Sequence, residues 1–319
     1  MDLSQVTLTQ IRYAIAVYDA QNFRQAAQAC HVSQSGLSMQ IQKLEDLLCL
    51  ILFDRKKKPV LPTEEGRDAF LQMRRILGEV ERLGQIASEG TEPAGRFRLG
   101  VIPTLSSTVM PLFLADFVSK YPRVELIVEE LKTEVMIAEL QANTLDAGLA
   151  ATPLAVPGLK ETPLGRERMH AYLPPADPLL EKPTVSQRQL LARKLWMLPE
   201  GHCFRSQVLS YCGTSANEES PLKSPVQFES GSFETLMALV DEDMGATIIP
   251  DLVAKRLDGE RGLRVRALTT PVPVREIGLI TARLDLRRRV TAVLAQSLSE
   301  ALAQALDPVS RRAAVLNPV

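Results

Sequence analysis

The residues best suited to chemistry in this 319-residue chain stand together as His202-Cys203-Phe204-Arg205, with a second thiol at Cys212. A cysteine reacts as its thiolate, and neighbouring positive charge or a helix N-terminus lowers its pKa enough to populate that form near neutral pH. His202 and Arg205 are potential cations beside Cys203, and Cys212 is near enough in sequence to trap an oxidised Cys203. These are the components of a redox switch. The competing reading is structural, since a cysteine in a mixed apolar stretch is commonly a buried small hydrophobe.

The elements that must hold this segment begin with composition. At 45% apolar residues, 24% charged residues and a net charge of −1, the chain is expected to fold as roughly two or three globular domains. No apolar run approaches the ~20 residues of a membrane helix, and the N-terminus lacks the basic head, apolar core and cleavage site of a signal peptide. A cytoplasmic protein without membrane contact is therefore expected. Four cysteines over this length do not form a secreted disulfide framework, and in a reducing compartment a close pair is more often catalytic or redox-sensing than structural. His31, His170 and His202 are the histidines and no CxxC pair occurs, so neither a metal nor a cofactor is expected. The near-neutral charge requires any nucleic-acid surface to be local.

Periodicity divides the chain near residue 95. Ile11, Ala14, Ile15 and Tyr18 form one helical stripe, Ala26, Ala27 and Cys30 a second, and Leu37, Ile41, Leu44 and Leu47 a third. The tight connection Ala29-Cys30-His31-Val32-Ser33, with Ser33 as N-cap, makes a helix-turn-helix layout. Ile51-Leu52-Phe53 and Val60-Leu61-Pro62-Thr63 then read as strands of a hairpin wing around Arg55, Lys56, Lys57 and Lys58, four cations able to reach phosphates. Thr63 caps a long helix whose stripe of Phe70, Met73, Ile76, Leu77, Val80, Leu83 and Ile86 calls for a partner. A copy in a second subunit would bury it, giving a dimer; the alternative is packing on its own domain.

The runs Phe23-Arg24-Gln25-Ala26-Ala27, Val32-Ser33-Gln34-Ser35, Leu37-Ser38, Ile41, Leu44-Glu45, Leu52-Phe53-Asp54-Arg55 and Leu61-Pro62-Thr63-Glu64-Glu65-Gly66 resemble the LysR-type transcriptional regulators. The resemblance is close over the N-terminal third and holds in outline beyond it. It implies a winged helix-turn-helix over 1–63, a dimerisation helix and hinge over 64–95, and a regulatory domain over 96–319. The third helix would enter the major groove with Ser33, Gln34, Ser35 and Ser38 facing DNA, and with Arg55, Lys56 and Lys57 on the wing. Also implied are promoter DNA as partner, a homodimer pairing into a homotetramer, RNA polymerase as a further partner, and no enzymatic role. This chain departs from the family at Ser35, where proline is usual, at Gln42, often arginine, and at Cys49, generally a glycine that closes the recognition helix. A left-handed residue with a Cβ costs something like 1 kcal/mol, so a differently built helix end is expected. Cys30 and Cys49 read as apolar-face or helix-end residues rather than redox centres.

Beyond residue 95 strands alternate with helices. Arg96–Ile102, Val124–Val128 and Ala147–Ala150 are predicted strands, with helices over about Ser107–Lys120 and through Leu140, and this pattern argues for a parallel sheet covered by helices. Further strands near Ala171-Tyr172-Leu173, Leu195-Trp196-Met197, Ala246-Thr247-Ile248-Ile249 and Ile277-Gly278-Leu279-Ile280 suggest a second such unit before the chain returns to the first. The family resemblance implies two α/β subdomains like those of periplasmic binding proteins, I over about 96–166 and 270–305 and II over about 167–269, with an effector cleft between them. Ile102-Pro103-Thr104-Leu105-Ser106-Ser107 lies where open α/β sheets place ligands, and its hydroxyls and N–H groups suit a small carboxylate. Alternatively Thr104 and Ser106 only cap the helix.

The run Leu198-Pro199-Glu200-Gly201-His202-Cys203-Phe204-Arg205-Ser206-Gln207, with Cys212, resembles the peroxide-sensing, OxyR-type members of the family. Thr104 and Thr133 fall where that group carries its peroxide-site threonines. The resemblance implies hydrogen peroxide as effector, Cys203 as the peroxidatic thiol and Cys212 as the resolving one. His202, Arg205, Thr104 and Thr133 would shape the pocket, and Arg283 would add a further cation; Ser206 departs from the usual acidic residue. Peroxide converts a thiolate to a sulfenic acid, which a second thiol condenses to a disulfide. If the segment is helical, nine residues hold the two Cα atoms about 13 Å apart, beyond the ~7 Å that a disulfide tolerates. Bridging would then refold the segment and alter subunit packing. Three alternatives remain: a regulator answering a small carboxylate with no redox role for Cys203, a thiol enzyme such as a peroxidase, and a solute-binding protein, which the winged N-terminal motif disfavours.

Overall fold

Three capped helices begin the chain. Thr7 accepts from the Gln10 N–H while the Gln10 side chain accepts from the Thr7 N–H, a reciprocal capping box that opens α1 (Leu8–Ala20). Asn22 caps α2 (Phe23–Ala29), and Ser33 caps α3 (Gln34–Leu48) by accepting from the Gly36 N–H. The apolar stripes meet in one core that includes Ile11, Ala14, Ala26, Ala27, Leu37, Ile41 and Leu44. The computed structural model describes residues 3–55, 57–87, 92–213, 232–283, 285, 287–309 and 313–318, with the backbone alone for 81–87.

The wing is a short antiparallel pair, β1 (Phe53–Asp54) and β2 (Leu61–Pro62). The Thr63 hydroxyl accepts from the Gly66 N–H and starts α4 (Glu64–Ala87). Part of the α4 stripe is covered by its own unit. Phe70 and Met73 are buried and Leu77 packs on the same core, whereas Leu71 and Ile76 are exposed. Leu83 and Ile86 lie outside the described side chains. Cys49 corrects the expectation for the end of α3. It adopts the left-handed conformation itself (φ 52°, ψ 37°), and the Leu50 N–H reaches the Glu45 carbonyl at 3.1 Å, so the helix closes as it would with glycine. Its side chain is exposed, not part of a core.

A second compact unit begins at Glu92. β3 (Gly95–Val101) pairs in parallel with β4 (Val124–Glu130) and β5 (Ala147–Thr152), and the connections are α5 (Pro103–Lys120) and α6 (Thr133–Gln141). Pro103 opens α5 at a position where no N–H is needed, so this helix starts before the expected Ser107. The chain then enters the long strand β6 (Leu159–Tyr172). After it come β7 (Thr184–Val185), α7 (Gln187–Leu191), β8 (Leu195–Trp196), α8 (Cys203–Cys212), α9 (Phe233–Asp241), β9 (Ala246–Pro250), α10 (Asp251–Ala254), α11 (Gly259–Gly262) and β10 (Val265–Leu268). The return strand β11 (Pro273–Ala282) is followed by α12 (Arg288–Ala305) and β12 (Ala314–Val315).

The expected parallel sheet holds for β3, β4 and β5, and the two long strands make the whole sheet mixed. β11 runs antiparallel to both β5 and β6, and the far end of β6 pairs antiparallel with β9 and β10. Two apolar cores result. One gathers β3, α5, β5, part of β11 and α12; the other gathers the end of β6, β8, α8, α9 and β9. β6 contributes Leu164 to the first core and Met169, Ala171 and Tyr172 to the second, so a single strand crosses between them. The first core rests on a close approach. A Cβ built on Gly148 of β5 would lie 2.4 Å from Sδ of the wholly buried Met136 of α6. Gly148→Ala is therefore expected to destabilise this unit by about 1–3 kcal/mol, the usual range for overpacking. Chemical denaturation of the whole chain measures it, and an unchanged midpoint would show that α6 is not seated as described.

Candidate functional site

α8 carries Cys203 as its first residue and Cys212 as its last, and Gly213 closes it in a left-handed conformation (φ 71°). Both thiols are free and buried. Ten helical residues set their Cα atoms about 13 Å apart along the axis. Burial also separates them: Cys203 packs in the first core and Cys212 in the second. α8 thus bridges the two cores with a thiol in each.

Around Cys203 the chain assembles groups from four other elements. The Thr133 hydroxyl, on the first residue of α6, lies 2.6 Å from the Cys203 sulfur. Arg275 of β11 has no exposed surface, and its Nε donates to Oε2 of the equally buried Glu167 of β6 at 2.6 Å. Its Nη1 donates to the Thr104 hydroxyl and its Nη2 to the Thr104 carbonyl, both at 3.2 Å. The guanidinium lies 5.4 Å from the ring centroid of Phe204, next to Cys203. Ile102 occupies the N-cap of α5 without a side-chain cap bond. The Thr104 hydroxyl therefore receives Arg275 rather than capping the helix.

Arg275 was missed from sequence, where Arg205 and Arg283 were the expected cations. Arg205 instead directs Nη1 to the Leu198 carbonyl at 3.2 Å, and it is not among the charges acting on Cys203. Arg283 is exposed at the far end of β11, its backbone N–H on the Gly158 carbonyl. A signal for Arg275 existed: in the alternation of β11 it shares a face with Ile277 and Leu279, and a cation on an apolar face needs a buried partner.

The electrostatics also differ from the expected pattern. Burial, then the nearby Lys132, push the His202 pKa below its ordinary value, so the imidazole is neutral at pH 7 rather than a cation; Glu130 opposes the shift. Burial pushes the Cys203 thiol up. The hydrogen bond from Thr133, the backbone N–H and Arg275 work against this without cancelling it, and Glu134 adds to it. Cys212 is pushed up to about 11 by burial alone. The resting form of both groups is the thiol, the reverse of the lowered pKa expected from the neighbouring sequence.

At the other end of the chain, Ser33, Gln34 and Ser35 are exposed at the start of α3 and Ser38 is half-buried. The Ser33 hydroxyl holds the cap and lies 3.3 Å from that of Ser35. Arg55 is tied back to α3 rather than extended from the wing. Its Nη2 pairs with Glu45 at 2.7 Å, its Nη1 donates to Ser38 at 3.4 Å, and it covers the Phe23 ring. The buried Glu45 also accepts from the Leu52 N–H at 2.7 Å, so one carboxylate fastens the wing to α3. Lys57 is exposed, with its ammonium 3.7 Å from Asp54; Lys56 lies outside the described residues. Among the described residues no His, Cys, Asp or Glu cluster could hold a metal ion, and no helix is long and apolar enough to cross a membrane.

Comparison with known proteins matches both units. Residues 8–67 match the bacterial regulatory helix-turn-helix protein, lysR family, and residues 90–303 match the LysR substrate binding domain. The hydrogen peroxide-inducible genes activator of Haemophilus influenzae is 31% identical over 304 residues, covering 95% of this chain and 99% of that protein. The DNA-binding transcriptional dual regulator OxyR of Escherichia coli is 31% identical over 276 residues, covering 86% of this chain and 89% of that protein. The structure of a full-length OxyR variant from Pseudomonas aeruginosa superposes with a TM-score of 0.81 at 28% identity, over 96% of this chain and 99% of that one. With both of its units matched in chain order, and with relatives of this identity aligned over nearly its whole length, the chain belongs to the LysR family of bacterial transcriptional regulators.

Proposed function

We propose that this regulator binds promoter DNA in the cytoplasm as a homodimer that pairs into a homotetramer, and that hydrogen peroxide acts on it by oxidising Cys203. One observation carries the reading: the Cys203 sulfur lies 2.6 Å from the Thr133 hydroxyl, at the start of a helix whose next residue stacks against the buried Arg275. The names of the relatives in Haemophilus influenzae and Escherichia coli support peroxide as the effector.

In this reaction the sulfur attacks one peroxide oxygen, the S–O bond forms and the O–O bond breaks. The other oxygen leaves with a proton as water, and Cys203 becomes a sulfenic acid, oxidised by two electrons. The Thr133 and Thr104 hydroxyls and the Arg275 fork are donors for the thiolate and for the charge that develops on the departing oxygen. Cys212 then displaces the sulfenic oxygen as a second water and forms the disulfide. Because its Cα is about 13 Å from that of Cys203 along α8, and a disulfide spans at most ~7 Å, α8 unwinds and Cys203 leaves the first core. That change in how the two cores are joined alters the pairing of subunits, the hold on the promoter and the contact with RNA polymerase. The protein signals without turning over as an enzyme, since each oxidation holds until a reductant reverses it.

A small carboxylate is the second reading, and a cavity of about 540 Å³ beside Ser107, Thr108, Arg256 and Arg261 is what favours it. Both arginines are already engaged there, Arg256 by the Ser107 carbonyl and Arg261 by Glu234 and Asp241.

Cys203→Ser should leave promoter binding within a few-fold of wild type and remove the peroxide-dependent change in the DNA footprint; a retained change would sink the redox reading. Thr133→Val should slow sulfenic acid formation at Cys203 about a hundredfold in stopped-flow measurements, on the scale of removing one preorganised donor. Since the thiol pKa is raised and the thiolate is the reactive form, the oxidation rate should climb about tenfold per unit from about pH 6 to 8. A plateau within that range would mean that the thiolate is already populated. Mass spectrometry of peroxide-treated protein should find Cys203 joined to Cys212.

A further inference from the structure

Glu167 and Arg275 stand directly opposite one another in the ladder between β6 and β11. Both oxygens of the Glu167 carboxylate are held. Oε2 takes the Arg275 Nε–H at 2.6 Å, and Oε1 takes the Leu252 N–H at 2.7 Å, in the first turn of α10. A guanidinium is planar, with its donors in a fixed fork, so a carboxylate locked onto the Nε edge decides where Nη1 and Nη2 point. They point at Thr104, and the face of the group lies against Phe204. Nothing about the pair is adjustable from solvent, since neither residue has exposed surface.

We infer that Glu167 is a positioning residue for the reaction at Cys203: it aims the Arg275 fork at the Thr104 and Cys203 cluster and neutralises part of its charge, and so sets the reactivity of the thiol. The inference deepens the peroxide reading and rests on it. Among the described residues, Glu134 of α6 and Arg275 of β11 are the charged groups acting on Cys203. Lys132 and Glu130 act on the neighbouring His202, itself neutral. With Glu167 uncharged, Arg275 would keep its full charge and the Cys203 thiolate would become its counter-ion. With Glu167 shortened, the carboxylate could not hold Leu252 and Arg275 together, and the fork would lose its aim.

Two substitutions in the full-length protein separate these effects. Glu167→Gln keeps the shape and removes the charge, while Glu167→Asp keeps the charge and removes the reach. The Cys203 thiolate is followed by its absorbance near 240 nm, as the difference from protein carrying Cys203→Ser, across a pH titration. The rate of peroxide oxidation is followed in parallel. Glu167→Gln should bring the thiol titration to lower pH by about one unit, the scale of a nearby charge. Glu167→Asp should slow oxidation about tenfold or more with little movement of the titration. If either variant loses its near-ultraviolet circular dichroism, the other carries the test. Folded variants with wild-type titration and wild-type rate would overturn the inference. If wild-type Cys203 is not oxidised by peroxide, the functional reading fails, and the titration still decides whether Glu167 governs the thiol.

Discussion

The ion pair between Glu167 and Arg275 is the contact on which this regulatory unit depends. Two charges without exposed surface face each other across β6 and β11. Removing one partner from such a pair leaves an uncompensated buried charge and typically costs about 3–5 kcal/mol. The same penalty opposes any change of pairing between the two strands. A slip of one residue would carry one member to the opposite face of the sheet, and the start of α10 and the Thr104 end of α5 would lose their anchors with it. Strand alignment and the arrangement around Cys203 are therefore one constraint.

α8 turns that constraint into a mechanical arrangement. Its first thiol belongs to one core and its last to the other, so the helix is at once a spacer and a tie. Midway along it the fully buried Gln207 donates its amide to the Leu316 carbonyl at 3.0 Å. Leu316 in turn donates its backbone N–H to Val274, the neighbour of Arg275. Leu316, the residue after β12, thereby fastens the middle of α8 to the same return strand that carries the arginine. Shortening the distance between the two thiols would disturb both cores and this tie together.

Much of the N-terminal unit was legible because its rules are local. Ser33 and Thr63 cap the helices they precede, and the apolar stripes repeat at helical spacing. Cys203, Thr104 and Thr133 were singled out as a set through the family resemblance rather than by a local rule. What was not legible depends on distant partners. The antiparallel course of β6 and β11 leaves no trace in either strand, since the pairing joins segments separated by more than a hundred residues. Arg205 and Arg275 are equally cationic on paper, and it is the Leu198 carbonyl for one and Glu167 for the other that separates them. His202 is neutral because of its burial and Lys132, neither of which its neighbours in sequence disclose. At Cys49 a residue with a Cβ takes the left-handed conformation that local preference gives to glycine.

The position of α8 within the chain has a consequence for how the molecule is made. Glu167 and Arg275 are 108 residues apart, and Cys203 lies between them. During synthesis Thr104, Thr133 and Glu167 emerge first, then Cys203, and the arginine that completes the cluster follows some seventy residues later. Until β11 has been translated and paired with β6, a nascent chain carries Cys203 without Arg275. The complete cluster therefore belongs to finished molecules.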